Sequence, residues 1–235
     1  HFEKMLYDNA QLVSLYAHAF QLTKKESYKT VVIETLNFVD RELTQEGGAF
    51  YSSLDADSKT KEGELEEGAF YVWTKEELQT ELGTDFDMFK SYYNVNATGK
   101  WEKNHYVLYK TKSNSEFLKT FNISEELLNE KLLGWKTKLF EVRNQRNKPR
   151  TDDKVLTSWN ALMLKAYLDA YRVLDDKTYL DKALKNAKFI KENQINDDGS
   201  LFHNYKNGKS TIDGFSEDYA HTISAFIDLY QGTLD

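Results

Sequence analysis

Acidic side chains near predicted helix starts and loops are the residues of this sequence that could carry chemistry. They are Asp8, Asp55, Asp57, Asp153, Glu217 and Asp218. A carboxyl group can donate a proton to a leaving group or accept one from water, and a second acid or a histidine can complete the reaction. His221 follows Asp218 by three residues, and a histidine titrates near neutrality. These residue types indicate general acid–base chemistry.

Periodic apolar residues predict the helices that must position these acids. Apolar positions recur at helical spacing over residues 13–20 and again over residues 28–43, with a polar break at residues 24–26. Glycine and aromatic residues follow at 47–51, where glycine releases the chain from the helix. This segment is therefore predicted to be a helical hairpin that ends in a tight turn.

The hairpin recurs later in the chain without a gap. An offset of 151 residues aligns Asn9 with Asn160 and carries the match through to the glycines that end both hairpins. A third copy of the first helix begins near Asp218, where an offset of 210 residues places that residue opposite Asp8. Helix pairs that recur in this way stack side by side, either as an open solenoid or as a closed ring.

A segment of different character separates the first two copies, and we predict an insertion over about residues 52–122. Strands are predicted at residues 68–73 and 106–109. A capped helix is predicted to start at Thr74, and a longer helix is predicted from about Ser124 to Arg143.

Composition excludes several classes of function. The net charge is −7 and no basic block is present, which excludes a nucleic-acid partner. No stretch approaches the roughly 18 apolar residues of a membrane span and no signal peptide is visible, so we expect no membrane association and a cytoplasmic location. The sequence contains 0 cysteines, which excludes disulfides, thiolate zinc sites and a thiol nucleophile.

The sequence predicts no bound metal and no cofactor. Asp55, Asp57 and Glu66 have the spacing of positions 1, 3 and 12 of a calcium-binding loop. Lys59 and Thr60, however, stand where that loop requires an oxygen ligand and a glycine. Neither a glycine-rich phosphate loop nor a His-Glu-x-x-His zinc signature occurs.

Several ordered motifs carry a resemblance to a known family. They are HFEKMLYDNA at 1–10, YSSLDADS at 51–58, FYVWT at 70–74, Arg143, Arg146, Pro149, DDKVLTSWN at 152–160 and DYA at 218–220. They span the whole chain and resemble the thioredoxin-domain-containing proteins of the YyaL and spermatogenesis-associated type. The match departs at Ala161, where glycine is usual, and at Glu217, where aspartate is common. Residues 99–105 follow the family's Gly-Asn-Phe-Glu-Gly pattern only loosely.

The resemblance implies an all-α fold, the (α/α)6 toroid of six hairpins, similar to N-acylglucosamine 2-epimerases and six-hairpin glycosidases. Residues 1–235 would form a partial toroid of about three to four hairpins, without the family's thioredoxin-like domain. An open arc leaves apolar ends exposed, so self-association through those ends is expected.

The resemblance also implies where the site lies. In such toroids the inner helices begin at one mouth, and helix amino termini favour anionic and hydroxyl groups of a ligand. The predicted catalytic residues are Asp153, Asp218 and His221. The predicted substrate contacts are Asp8, Asn9, Asp55, Asp57, Lys154, Trp159, Asn160 and Tyr219. Of the other histidines, His18 is predicted to pack within a helix, while His105 and His203 lie in loops without paired ligands.

The implied function is acid–base chemistry on a saccharide, of the sugar epimerase or glycosidase type. Retaining, inverting and non-catalytic arrangements of the acids all remain open, and helix capping by Asp8, Ser158 and Asp218 is the alternative role of those residues. The competing function is a non-catalytic ring that binds a peptide or the family's thioredoxin-like domain. Convergence of two acids, or of an acid and a histidine, over an aromatic floor would favour the enzyme.

Overall fold

Helices account for most of the architecture. A computed structural model describes residues 2–234 of the protein. The α-helices are α1 Leu6–Thr23, α2 Glu26–Glu42, α3 Lys75–Leu82, α4 Phe86–Tyr92, α5 Asn114–Phe121, α6 Glu125–Arg143, α7 Thr157–Leu174, α8 Lys177–Asn193 and α9 Ser216–Thr233. Within the described residues, no helix combines the length and the apolar character needed to cross a bilayer.

Short antiparallel strands join the loops between the helices. They are β1 Lys4–Met5, β2 Ser53–Leu54, β3 Asp57–Lys59, β4 Leu65–Glu67, β5 Trp73–Thr74, β6 His105–Tyr106, β7 Thr151–Asp152, β8 Val155–Leu156, β9 Asn204–Lys206 and β10 Lys209–Ser210. The sheets have the orders β1-β2-β7 and β10-β9-β8, and two further pairs are β3-β4 and β5-β6. In register, Lys4 pairs with Leu54, Trp73 with Tyr106, and Val155 with Tyr205.

The chain divides into two compact units. The insert unit contains Phe2 and Ala56–Arg150, and the helix-pair unit contains Glu3–Asp55 and the residues from Thr151 onward. The insert unit thus extends past the predicted insertion at 52–122 and includes α6, whose apolar residues pack with those of α3 and α4 in a single cluster.

The helix-pair unit confirms the predicted repeat down to its hydrogen bonds. The helices α1, α7 and α9 begin at equivalent residues and end at equivalent left-handed ones, Lys24, Asp175 and Leu234, with φ of 55°, 54° and 61°. Each of these three residues donates its N–H to the carbonyl four positions earlier. The outer helices α2 and α8 also have the same bounds after the shift of 151 residues. Segments that are related by the sequence repeat therefore have the same helix bounds and the same backbone geometry at their ends.

The turn after each helix pair also repeats. A bridge joins Thr44 to Phe50 after α2, and the equivalent bridge joins Ile195 to Leu201 after α8. Gly48 and Gly199 occupy the same turn position with φ of +96° and +84°, a region that side chains with a Cβ atom disfavour. The two glycines share a backbone conformation but differ in their surroundings, so the same substitution at both positions separates the cost of the backbone conformation from the cost of crowding.

We expect Gly48→Ala to destabilise the protein more than Gly199→Ala. A Cβ atom on Gly48 would lie 2.7 Å from Cγ and 2.9 Å from the carbonyl oxygen of Lys185, whereas a Cβ atom on Gly199 meets no described atom within 4 Å. The strained φ should cost roughly 1–2 kcal/mol at both positions. Crowding against Lys185 should add about 1–3 kcal/mol at Gly48 alone. Urea unfolding of both variants tests this, and equal losses would contradict it.

The central helix of the unit is α7, which packs between α1 and α9 and is buried along most of its length. Tyr167 is fully buried on α7, and its hydroxyl donates to Asp40 Oδ1 on α2 at 3.0 Å. Burial raises the pKa of this phenol, and the neighbouring Asp40 raises that pKa further. Lys182 on α8 also binds Asp40, so one carboxylate ties three helices together.

The insert unit confirms the predicted helices and corrects the predicted strands. Thr74 and Glu77 form a capping box at the start of α3, and the Ser124 hydroxyl caps α6. The strand predicted at 68–73 is wrong for residues 68–71, which form a turn because the N–H groups of Tyr71 and Val72 both donate to the Gly68 carbonyl. The second predicted strand, 106–109, is replaced by β6, which ends at Tyr106.

Arg146 holds the loop before α3 against the end of α6 in the insert unit. Its guanidinium donates to the carbonyls of Phe70 and Val72, at 3.2 and 2.5 Å, and lies 3.4 Å from Glu77 Oε2. It also stacks 4.0 Å from the ring centroid of Trp73. The planar guanidinium of arginine has several N–H donors in a fixed geometry that matches these acceptors. The ammonium group of a lysine does not reproduce that geometry.

We therefore expect Arg146→Lys to destabilise the protein by about 2–4 kcal/mol, because buried carbonyls lose their donors. Lys75→Arg, on the exposed first residue of α3, should change the free energy of unfolding by less than about 0.5 kcal/mol. Chemical denaturation followed by tryptophan fluorescence measures both, and a loss at position 146 no larger than that at position 75 would refute this role.

Candidate functional site

The starts of the repeated helices lack side-chain caps on their N-cap residues. Met5, Leu156 and Phe215 hold those positions in extended conformation, and none of them caps through its side chain. Capping by Ser158 is not observed, because this residue is the second of α7 and its buried hydroxyl has no hydrogen-bond partner among the described residues. The free N–H groups of α7 must therefore find an acceptor elsewhere.

Asp218 supplies that acceptor. Its carboxylate is fully buried near the start of α9, and Oδ1 accepts the backbone N–H of Ser158 at 2.9 Å. Oδ2 accepts the backbone N–H of Phe215 at 2.9 Å and faces His203 Nδ1 at 2.9 Å. Asp218 thus accepts an N–H group at the start of its own helix, in agreement with the capping hypothesis. It also caps α7 and contacts a histidine, and that hypothesis included neither of these contacts.

The backbone of His203 is held on both sides. Thr157 N donates to the His203 carbonyl at 2.9 Å, and His203 N donates to the Ile212 carbonyl at 2.7 Å. The imidazole packs against Phe215 with ring centroids 4.5 Å apart and ring planes inclined by 42°, and 18% of the side chain is exposed. With Nδ1 directed at Asp218, Nε2 is the ring nitrogen that remains able to exchange a proton, and it has no partner among the described residues.

The prediction that His203 lacks a paired ligand is therefore wrong. The pairing joins residues that are 15 apart in sequence, and it forms because the chain after α8 returns to the start of α9. One sequence signal was available: His203 follows Ser52 by the repeat offset of 151 residues, so it occupies the loop position that leads toward the next inner helix.

Glu217 lies beside this pair. Its carboxylate, the His203 ring nitrogens and the Asp218 carboxylate each offer an atom within 4.8 Å of the others. Such a set could in principle ligate a divalent ion. The oxygens of Asp218 already receive three nitrogen donors, however, which suits hydrogen bonding better than metal coordination. We therefore interpret the group as a hydrogen-bonded cluster rather than a metal site.

Aromatic side chains border the same helix starts. The rings of Tyr7 on α1 and Trp159 on α7 meet edge to face with centroids 4.7 Å apart, and both side chains are partly exposed. Trp159 directly follows Ser158, whose N–H binds Asp218. The hydroxyl of Tyr219 accepts the Leu201 N–H at 3.0 Å, so this predicted substrate contact supports the segment that carries His203.

Several predicted site residues form other partnerships. Asp153 is exposed and pairs with Lys206 at 2.5 Å, while Lys154 pairs with Asp152 at 2.7 Å. His221 is half-buried one turn beyond Asp218, and it has no hydrogen bond within residues 2–234. The structure therefore places neither Asp153 nor His221 in a hydrogen bond with the described Asp218–His203 pair, and their catalytic roles stay predictions.

The remaining predicted contacts are dispersed. Asn160 is fully buried, and its amide bonds to the backbone of Phe50 and to Asn186, so we assign it to packing between the repeats. Among the described residues, Asn9 bonds only to the carbonyl one turn before it, and Asp8 is exposed in the first turn of α1. Asp55 belongs to the helix-pair unit, while Asp57 belongs to β3 of the insert unit.

The chain is similar in sequence to longer proteins from several animals. Over 99% of its length the chain is 33% identical to spermatogenesis-associated protein 20 of Homo sapiens, and it is 31% identical to the Mus musculus protein of that name. These proteins are homologues of the chain. The chain spans about a third of their length, 33% in each case. No protein-family model matches the chain.

A solved structure confirms the predicted fold class. Cellobiose 2-epimerase from Bacillus thermoamylovorans B4167 superposes on 99% of the chain with a TM-score of 0.56, at 12% sequence identity. The chain covers 40% of that protein. The predicted all-α, (α/α)6 toroid class is thus confirmed, with small strands in its loops.

Proposed function

We propose that the helix-pair unit is a carbohydrate-active acid–base site in which His203 transfers protons and Asp218 positions it. The observation that carries this proposal is the 2.9 Å contact between His203 Nδ1 and the buried Asp218 carboxylate. A carboxylate on Nδ1 selects the tautomer that carries its proton on Nδ1 and a lone pair on Nε2, and it stabilises the imidazolium that forms when Nε2 accepts a proton.

The geometry supports sugar epimerisation better than glycoside hydrolysis. Hydrolysis by two carboxyl groups requires both to reach the glycosidic bond. Asp218 is fully buried with its oxygens occupied, so within the described His203–Glu217–Asp218 cluster Glu217 is the one carboxylate exposed to a substrate, whereas two are needed. A histidine with an open Nε2 suits removal of a proton from a carbon next to a carbonyl group, which is the step that epimerisation needs.

A saccharide is the proposed substrate class. Partly exposed rings of Tyr7 and Trp159 offer flat apolar faces beside the helix starts, and sugar rings pack on such faces. Free N–H groups at helix starts can bind hydroxyl oxygens. The similar fold belongs to a protein named for epimerisation of cellobiose, and this agrees with the proposed chemistry.

Deuterium exchange provides the test. The protein is incubated with reducing mono- and disaccharides in D₂O, and the signal of the proton on C2 is followed by NMR. We expect loss of that signal in the wild type, little loss with His203→Gln, and wild-type rates with His221→Gln. Exchange that survives in His203→Gln would refute the assigned base. A sugar that raises the melting temperature without any exchange would instead indicate non-catalytic binding.

A further inference from the structure

A cavity of about 840 Å³ lies within the insert unit. Its walls are the β3–β4 hairpin, the turn that follows this hairpin, the helix α3, the loop at residues 101–105 and the end of α6. Every residue that lines it belongs to the insert unit, so the cavity is formed without the His203–Asp218 pair. Sites for small molecules are concave and typically enclose about 300–1,000 Å³. The cavity therefore has the size of a ligand site.

Contacts between the walls fix the shape of this cavity. The side-chain Nδ2 of Asn147 donates to the carbonyls of Lys59 and Thr60, at 3.2 and 3.1 Å, so the chain that follows α6 is joined to the β3–β4 hairpin. Lys103 forms an ion pair with Glu66 on β4, which joins the loop at residues 101–105 to the same hairpin. A site whose walls are already joined binds a ligand with a smaller cost of ordering.

Three glutamates in the walls are half-buried, and each has a cation as its partner. The ion pairs are Lys103–Glu66, Arg146–Glu77 at 3.4 Å and Lys138–Glu81 at 3.2 Å. The other charged residues of the lining are exposed and carry both signs; they are Lys59, Lys61, Glu62, Glu67 and Glu102. A charged ligand would have to separate one of the half-buried pairs, which leaves a charge without its partner. The lining therefore favours a neutral ligand.

Hydroxyl groups match the hydrogen-bonding capacity of this lining. Its carboxylates accept hydrogen bonds, while its ammonium groups and the side-chain amides of Gln145 and Asn147 donate them. A sugar hydroxyl both donates and accepts, so it can bind to an ion pair without separating it. The half-buried indole of Trp101 lines the same cavity, and Val72 and Val142 add apolar surface. An aromatic ring beside polar groups suits a sugar ring, which has apolar C–H faces and polar edges.

We propose that this cavity of the insert unit is a binding site for a neutral saccharide, separate from the acid–base site of the helix-pair unit. The sugar hydroxyls bind to the paired side chains of the walls, and the sugar ring packs against Trp101. The site binds its ligand without chemical change. This inference does not rest on the proposed function, because the cavity and its polar groups are described without His203.

Fluorine NMR of the full chain tests this site through its tryptophans. The protein is labelled with 5-fluorotryptophan, and the signals of its 4 tryptophans are assigned by replacing each in turn with phenylalanine. The labelled protein is then titrated with glucose, cellobiose, mannobiose and maltotriose. We expect at least one of these sugars to shift the Trp101 signal until it saturates. The signals of Trp73 and Trp135 should stay unchanged, because both rings are buried in the core of the same unit. A Trp101 signal that no sugar shifts would overturn the proposal.

Two charged compounds and a second tryptophan separate the alternatives. Inorganic phosphate and spermine should leave the Trp101 signal in place, and a larger shift with either one than with any sugar would overturn the choice of a neutral ligand. The Trp159 signal reports on the helix-pair unit. A sugar that shifts the Trp159 signal alone would refute the site in the insert unit. A saturable shift of the Trp101 signal without exchange at C2 would support this site and refute the proposed function.

Ala69→Phe tests the site by filling part of it, since Ala69 is half-buried and lines the cavity. The affinity for the sugar that shifts the Trp101 signal should fall by roughly tenfold or more. Ala97→Phe is the matched control on an exposed alanine of the same unit, and it should bind within about twofold of the wild type. Gln145→Phe narrows the cavity from an exposed position, and it decides the test if Ala69→Phe lowers the melting temperature. Wild-type affinity in the folded variants would overturn the proposal.

Discussion

The Asp218→Asn substitution is expected to slow proton exchange at the sugar by roughly 10³- to 10⁴-fold, the loss typical of a histidine without its orienting carboxylate. An amide has one oxygen where the carboxylate has two. The single oxygen left by the substitution can face Phe215 N and His203 Nδ1 or it can face Ser158 N, and in each case an N–H group then meets another N–H group. In both orientations the negative charge that stabilises the imidazolium is lost, and in the second orientation His203 Nδ1 also loses its acceptor.

The same substitution should reduce the free energy of unfolding by about 1–3 kcal/mol, because a buried donor is left without an acceptor. Asp8→Asn is the matched stability control, since Asp8 holds the equivalent position in α1 and is exposed. It should shift the unfolding free energy by less than about 0.5 kcal/mol. An Asp218→Asn protein that exchanges sugar protons within twofold of the wild-type rate would exclude the positioning role.

Asn160→Asp is expected to produce the largest loss of stability, about 3–5 kcal/mol at pH 7. The side-chain Nδ2 of Asn160 donates to the carbonyls of Phe50 and Leu156, both at 3.0 Å, while Oδ1 accepts from Phe50 N at 2.9 Å and from Asn186. A carboxylate there would place a buried charge against two carbonyl oxygens. No side-chain cation faces Asn160 among its hydrogen-bond partners in the described structure to compensate that charge.

The repeat again provides a control. Asn9→Asp alters the equivalent residue of α1, which is half-buried and donates to the Met5 carbonyl. This substitution should reduce the free energy of unfolding by about 1 kcal/mol. Burial should raise the pKa of the new carboxyl at position 160. The native state would then bind the proton more tightly than the unfolded state, and stability lost at pH 7 should be partly regained at about pH 4. Urea titrations at both pH values measure this, and a pH-independent loss would count against a buried charge.

Local pattern in the sequence determined the repeated part of the fold. The offset between Asn9 and Asn160 correctly predicted equivalent helix starts, equivalent helix ends and the two turns at Gly48 and Gly199. It succeeded because helical periodicity and positive φ depend on neighbours in the chain. The capped helix at Thr74 was predictable for the same reason. The strand predicted across residues 68–71 failed, because a short apolar run does not reveal whether its N–H groups turn back on a local carbonyl.

The candidate site was decided by tertiary structure. Residue types directed attention to Asp218 and His221 on one helix, whereas the partner that Asp218 positions is His203, held in place by the return of the chain after α8. Asn160 was predicted to contact substrate because it is polar and near a helix start. In the structure it is instead the centre of a buried hydrogen-bond network. Sequence period determines which residues share a face of a helix. Which faces meet, and which polar groups find each other in the interior, depends on three-dimensional packing between segments that lie far apart in the chain.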